Sequence, residues 1–136
     1  MESIIQIDQL TKRFPVGTGK FTALRDISLE FHKGEFTGFV GPSGSGKTTL
    51  LNIIGSLDTP SEGEVTVLGH SIAHLTHKQS AQLRNRHLGF IFQTYNLFPV
   101  YTVFENVEFA LLLQHMPAAE RRKAVMDALG WVGLTD

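Results

Sequence analysis

The sequence predicts an α/β fold in which a strand, loop and helix form the nucleus, an antiparallel sheet lies beside it, and a helical region begins toward the C-terminal end. Three observations predict it. Gly41-Pro42-Ser43-Gly44-Ser45-Gly46-Lys47-Thr48 satisfies the pattern G-x-x-x-x-G-K-[ST] at every defined position, between apolar residues 36–40 and the helical run at 50–54. Ile5 and Ile7 alternate with Gln6 and Asp8, and Ile27, Leu29 and Phe31 with Ser28, Glu30 and His32, as half-buried antiparallel strands do. Beyond Gln93 the apolar period lengthens to that of a helix, with Phe104, Val107 and Leu111 on one face.

The elements follow in order. Gly17-Thr18-Gly19-Lys20 reads as the turn between the first two strands, and Lys33-Gly34-Glu35 turns the chain into a short buried strand over residues 36–40. The helix that starts near Lys47 stops at Gly55, expected as its C′ residue. A turn over residues 58–63 leads into a strand at 64–68. Thr76 and Gln79 have capping-box spacing and open a polar helix from His77 to about Arg86. Residues 88–92 are almost continuously apolar, as a strand buried on both faces would be, and deliver Gln93 to its end. Thr102 and Glu105 form a second capping box, and Pro117 interrupts the helix they begin. A last helix runs from Ala118 to Leu129, with Val125, Ala128, Leu129 and Val132 inward and Glu120, Arg121, Arg122 and Lys123 facing water.

The loop composition has a chemical reason. Several phosphate charges are best met by backbone N–H groups turned inward, and glycine alone allows so tight a turn with the backbone against the oxygens. Gly41, Gly44 and Gly46 supply that freedom, and the helix behind them aims unpaired N–H groups and its positive dipole end at the same place. Lys47 adds a mobile cation for β and γ groups, Thr48 a hydroxyl suited to Mg²⁺, and Thr49 a donor for the α-phosphate.

Composition narrows the function classes. The 136 residues carry 12 Lys plus Arg against 13 Asp plus Glu, so no basic surface wraps nucleic acid. With no cysteine there is no disulfide or zinc-thiolate framework. The N-terminal segment has no signal-peptide pattern, and no apolar run approaches the ~18 residues of a membrane span. His70, His74 and His77 are spaced by four and three, but the Thr76 cap interrupts a common helix, so they read as surface histidines.

Taken together, the loop from Gly41 to Thr49, the stretch Leu51-Asn-Ile-Ile-Gly-Ser-Leu-Asp-Thr-Pro-Ser-Glu-Gly63, Leu88-Gly-Phe-Ile-Phe-Gln93 and Thr102-Val-Phe-Glu-Asn-Val107 resemble the ATP-binding subunits of ABC transporters. Within that family the lipoprotein-release and macrolide-efflux branch is the most similar, and the resemblance runs from about Ile4 to Asp136. It implies a P-loop NTPase core with side sheet over residues 1–93 and the start of a helical subdomain over 98–136, a partial domain. The implied cofactors are ATP and Mg²⁺, held by Phe14, Gly41, Pro42, Ser43, Gly44, Ser45, Gly46, Lys47, Thr48 and Thr49. Phe14 matches the aromatic that stacks on adenine, and Gln93 the glutamine that reaches Mg²⁺ and the attacking water; Thr48 and Gln93 are thus the implied metal ligands. The implied partners are a transmembrane permease and a second ATP-binding subunit, at the cytoplasmic face of the membrane.

The family's Leu-Ser-Gly-Gly-Gln signature, the Asp-Glu pair that closes an apolar strand, and the switch histidine have no counterpart in these residues. Asp127 lies inside a helical pattern and Glu105 reads as a cap, so neither substitutes for the base. The chain alone is therefore expected to bind ATP without hydrolysing it. Two other readings stay open: a non-transport ABC ATPase, and a non-enzymatic truncated fragment whose parallel sheet would leave exposed edges.

Overall fold

The computed structural model describes residues 2–135. By its internal packing the chain divides into two compact units, Met1–Arg84 and Asn85–Asp136.

The first unit is built on four antiparallel strands in the order β2-β1-β3-β4: β1 (Ser3–Val16), β2 (Gly19–His32), β3 (Glu62–Val67) and β4 (His70–Ser71). The alternation predicts the pairing, since Ile5 faces Phe31 and Ile7 faces Leu29 across β1 and β2. One irregularity matters. After Ile7 both Asp8 and Gln9 point outward, Gln9 at φ 49°, and the resulting bulge turns Leu10 back into the core. Gly63 of β3 lies against that bulge: a Cβ there would sit 2.3 Å from the Gln9 carbonyl oxygen and 2.5 Å from that of Asp8, at φ +84°. Leu68 and Gly69, both at positive φ, close the tight hairpin into β4, a short strand that the sequence did not announce.

Against this sheet lie α1 (Lys47–Ile54) and a 3₁₀ turn (Ile72–His74), and α2 (His77–His87) is tied through Ser80 and Arg84 to Ser56 just after α1. Ile7, Leu10, Leu50, Ile53, Val65, Val67, Ile72 and Leu83 form the buried core. The Thr76 box closes as expected, with the Thr76 amide donating to Gln79 Oε1 at 2.9 Å and the Gln79 amide to Thr76 Oγ1 at 3.2 Å. At the end of α1 the expectation for Gly55 fails. Gly55 has φ −73°, and it is the next residue, Ser56, that turns left-handed at φ 55°. A serine tolerates this because it is buried and heavily bonded: Ser80 Oγ donates to the Ser56 carbonyl at 2.8 Å and Arg84 Nη1 at 2.6 Å.

The second unit contains α3 (Val103–Leu113) and α4 (Ala118–Trp131). The Thr102 and Glu105 capping box is complete, and Arg121 ties the helices by donating to Glu108 Oε1 at 2.7 Å and to the Met116 carbonyl at 2.7 Å. Of the expected inward stripe, Val125 and Leu129 are buried and Ala128 is half-buried, whereas Val132 lies beyond the helix and is 67% exposed.

Two strand expectations are corrected. Residues 36–40 and 88–92 have no regular secondary structure and belong to no sheet among the described residues, with Phe36, Val40 and Ile91 fully exposed. A continuous apolar strand is satisfied only by neighbours on both edges and cover on both faces, and the described residues supply neither. No helix among the described residues is long and apolar enough to cross a membrane.

Candidate functional site

The glycine-rich loop holds a cation among its own acceptors and opens onto the N-terminus of a helix. Gly44 and Gly46 take φ +81° and +95°, and a Cβ on Gly46 would meet Leu24 Cδ2 at 2.7 Å and the Ala23 carbonyl at 2.9 Å, so β2 fixes where the loop enters the helix. Ser45 N donates to the Pro42 carbonyl at 3.2 Å, and Leu50 N to the Gly46 carbonyl at 2.9 Å is the first bond that closes α1. Among the described residues the amides of Lys47, Thr48 and Thr49 therefore have no backbone acceptor. No side chain caps this helix and no acidic residue stands in its first turn. The helix start is thus left open to an outside anion.

Lys47 supplies the charge. Its ammonium donates to the carbonyls of Gly41 at 2.6 Å and Pro42 at 2.8 Å and to Ser45 Oγ at 3.1 Å, inside the arc of the loop. Those acceptors are neutral, so phosphate oxygens would compete for the ammonium with a full charge. Thr48 is exposed at the first turn and Thr49 half-buried. A cavity of about 520 Å³ opens between β2, residues 38–40 and the loop residues Ser45, Gly46 and Lys47; away from the loop its walls are largely apolar, including Leu24, Ile27, Phe39 and Leu50. Such walls do not suit a triphosphate; the loop amides do.

Phe14 sits near the hairpin end of β1, half-buried, opposite Phe21 of β2. Beneath it the sequence reading missed a partner. Lys12, itself buried, places its ammonium 5.0 Å from the centroid of the Phe14 ring, and donates to Asp58 Oδ1 at 2.7 Å and the Thr59 carbonyl at 2.8 Å. The signal available in the sequence was a lysine two positions before the aromatic on the same strand face, but its acceptors lie in a turn far along the chain.

Gln93 belongs to the second unit, where it stands exposed at the bend that ends residues 88–92. In the segment after it, Phe98 packs on Tyr101 at 5.3 Å and on Phe109 at 4.9 Å between centroids, while Phe104 lies under the Arg122 guanidinium. The Asn106 side chain holds this loop, accepting from Phe98 N at 2.8 Å and donating to the carbonyls of Phe98, Tyr101 and Thr102.

The two carboxylates set aside as bases are both engaged. Glu105 accepts from the amide and hydroxyl of Thr102, and these bonds hold its carboxyl below the usual range. A carboxylate so stabilised is a poor proton acceptor. The cap should hold above the ordinary glutamate range and weaken only as pH falls through this lowered value. Asp127 pairs with Lys123 one turn earlier at 2.7 Å.

Residues 24–136 match the family profile described as ABC transporter. The chain is 42% identical over 98% of its length to the macrolide export ATP-binding/permease protein MacB of Burkholderia pseudomallei (strain 1710b), and covers 20% of that protein. It is 38% identical over 98% of its length to the lipoprotein-releasing system ATP-binding protein LolD of Bacteroides thetaiotaomicron, and covers 59% of it. A solved structure of the ATP-binding cassette MJ0796, a dimer in a post-hydrolysis state bound to ADP and Pi, superposes with a TM-score of 0.87 at 38% identity over 93% of this chain and 56% of that one. The chain thus spans little more than half the length of such relatives, or less.

Proposed function

The chain belongs to the ABC transporter family, and from that premise we propose that it binds ATP with Mg²⁺ as the nucleotide-binding part of a transport ATPase. The carrying observation is the loop itself: open first-turn amides of α1 beside a lysine ammonium held only by neutral acceptors. Phosphates take the open first-turn amides of Lys47, Thr48 and Thr49 and draw the Lys47 ammonium off the carbonyls of Gly41 and Pro42. The exposed Thr48 hydroxyl is a hard oxygen donor and fits Mg²⁺. When bound, Mg²⁺ neutralises charge on the β- and γ-phosphate oxygens. Phe14 offers a π face to the adenine.

In the whole protein we assign residues 1–93 to the core and side sheet and 98–136 to the start of a helical subdomain. There the chain works with a second ATP-binding subunit and a membrane permease at the cytoplasmic face, and binding and hydrolysis of ATP drive the permease between states. The relatives favour export or lipoprotein release as the class of work.

Calorimetric titration with Mg²⁺-ATP tests the assignment at the base. Phe14→Ala is expected to weaken binding by about 1–3 kcal/mol, on the scale of aromatic stacking with nucleic-acid bases, and Phe14→Tyr to leave it nearly unchanged. Equal binding by the alanine variant would place the adenine elsewhere.

A further inference from the structure

The buried Lys12 ammonium lies against the Phe14 ring and is anchored by Asp58 and the Thr59 carbonyl. Asp58, which receives it at 2.7 Å, also accepts from the Thr59 amide at 2.7 Å, so the carboxylate has a restraint besides the lysine. The turn that carries Asp58 is in turn held to α1, because the Asn52 carbonyl accepts from the amides of Leu57 at 2.8 Å and Asp58 at 3.3 Å. A second tie runs beside it: Ser61 N donates to the Thr11 carbonyl at 2.9 Å, and Arg13 N to Ser61 Oγ at 2.9 Å. An unbroken series of contacts therefore runs from the helix of the phosphate loop, through Asn52, Asp58 and Lys12, to Phe14.

We propose that Lys12 is the positioning residue for the base-facing aromatic, setting the Phe14 ring in fixed register with the phosphate-binding helix α1. This rests on the reading that Phe14 stacks on adenine. Lys12 and Phe14 are two residues apart on β1 and so share a face. A cation over one face of the ring restrains its rotamer and leaves the other face for the base. A ring already ordered loses less freedom on stacking, which strengthens binding of the base and leaves the phosphates untouched. A lysine that merely held the fold would affect both ends of the nucleotide alike.

The test compares ATP with inorganic tripolyphosphate, which lacks the base, on the same chain with Mg²⁺ present. Lys12→Met is expected to lose roughly 5-fold or more in ATP affinity, a smaller loss than deletion of the stacking ring, while tripolyphosphate affinity stays within about 2-fold. Lys12→Arg, which keeps a cation for Asp58 and the ring, is expected to restore the preference for ATP. Phe14→Ala runs alongside and separates the two readings. If it leaves the preference for ATP intact, the stacking assignment fails and the role of Lys12 fails with it. If it abolishes the preference while Lys12→Met does not, stacking stands and the positioning role is overturned. Equal loss of both ligands in Lys12→Met also overturns it. Should that variant not fold by its circular dichroism melt, Asp58→Asn loosens the anchor while keeping the cation, and the same base-dependent loss is expected.

Discussion

Lys47→Ala is expected to remove most affinity for Mg²⁺-ATP, by about 3 kcal/mol or roughly 100-fold, the scale for withdrawing one partner from a desolvated charge pair. The geometry explains both the size and the selectivity. The Lys47 ammonium already sits within the arc of the loop, bonded to Gly41, Pro42 and Ser45, so it moves little to meet a phosphate. The amides of α1 remain in the variant and keep a residual anion site, but they are dipoles and carry no full charge. The bonds that Lys47 makes in the free chain are solvent-exposed, so its loss should hardly change thermal stability. Titration calorimetry and a melt on both forms check this pair of outcomes. Unchanged affinity would remove Lys47 from its assigned role, and a large fall in melting temperature would make it a fold residue.

Gly63→Ala should be the most destabilising small substitution in the first unit. Its Cβ would fall 2.3 Å from the Gln9 carbonyl oxygen and 2.5 Å from that of Asp8, both backbone atoms of a bulge that cannot swing aside, at a φ of +84° that alanine resists. About 3 kcal/mol or more is expected, since strained backbone alone costs 1–3 kcal/mol and the clash adds to it. For a chain of this size that lowers the melting temperature by about 10 °C. Gly69→Ala is the control. It has a similar φ of +79° with nothing within 4 Å of the new Cβ, so it carries the backbone term without the clash. Equal melting temperatures for the two variants would show that the bulge contact does not fix the β1 and β3 register.

Local signals carried much of this structure. Alternation at Ile5, Ile7, Ile27 and Leu29 is a property of residues two apart, and it places β1 against β2. The two capping boxes at Thr76 and Thr102 need only residues three apart, and both helices start where those residues stand. The phosphate loop is local in the same sense, because its glycines, lysine and threonines meet through eight or nine consecutive residues. For that reason the start of α1 at Lys47, behind the glycines, was legible to the residue.

What depends on distant parts of the chain was decided by the tertiary structure. Residues 36–40 and 88–92 have the composition of buried strands, yet strand pairing requires edges from elsewhere, and none among the described residues reaches them. The left-handed turn after α1 falls on Ser56 and not on Gly55, because bonds from Ser80 and Arg84 hold a serine in that conformation. The bulge at Gln9 exists where Gly63 lets a second strand approach. Lys12 follows the same rule: its place under Phe14 is set by Asp58 and Thr59, more than forty residues along the chain. Sequence periodicity reports what neighbours do to each other within a turn or a strand. Charges, carbonyls and ring faces that meet across a fold are brought together by packing alone.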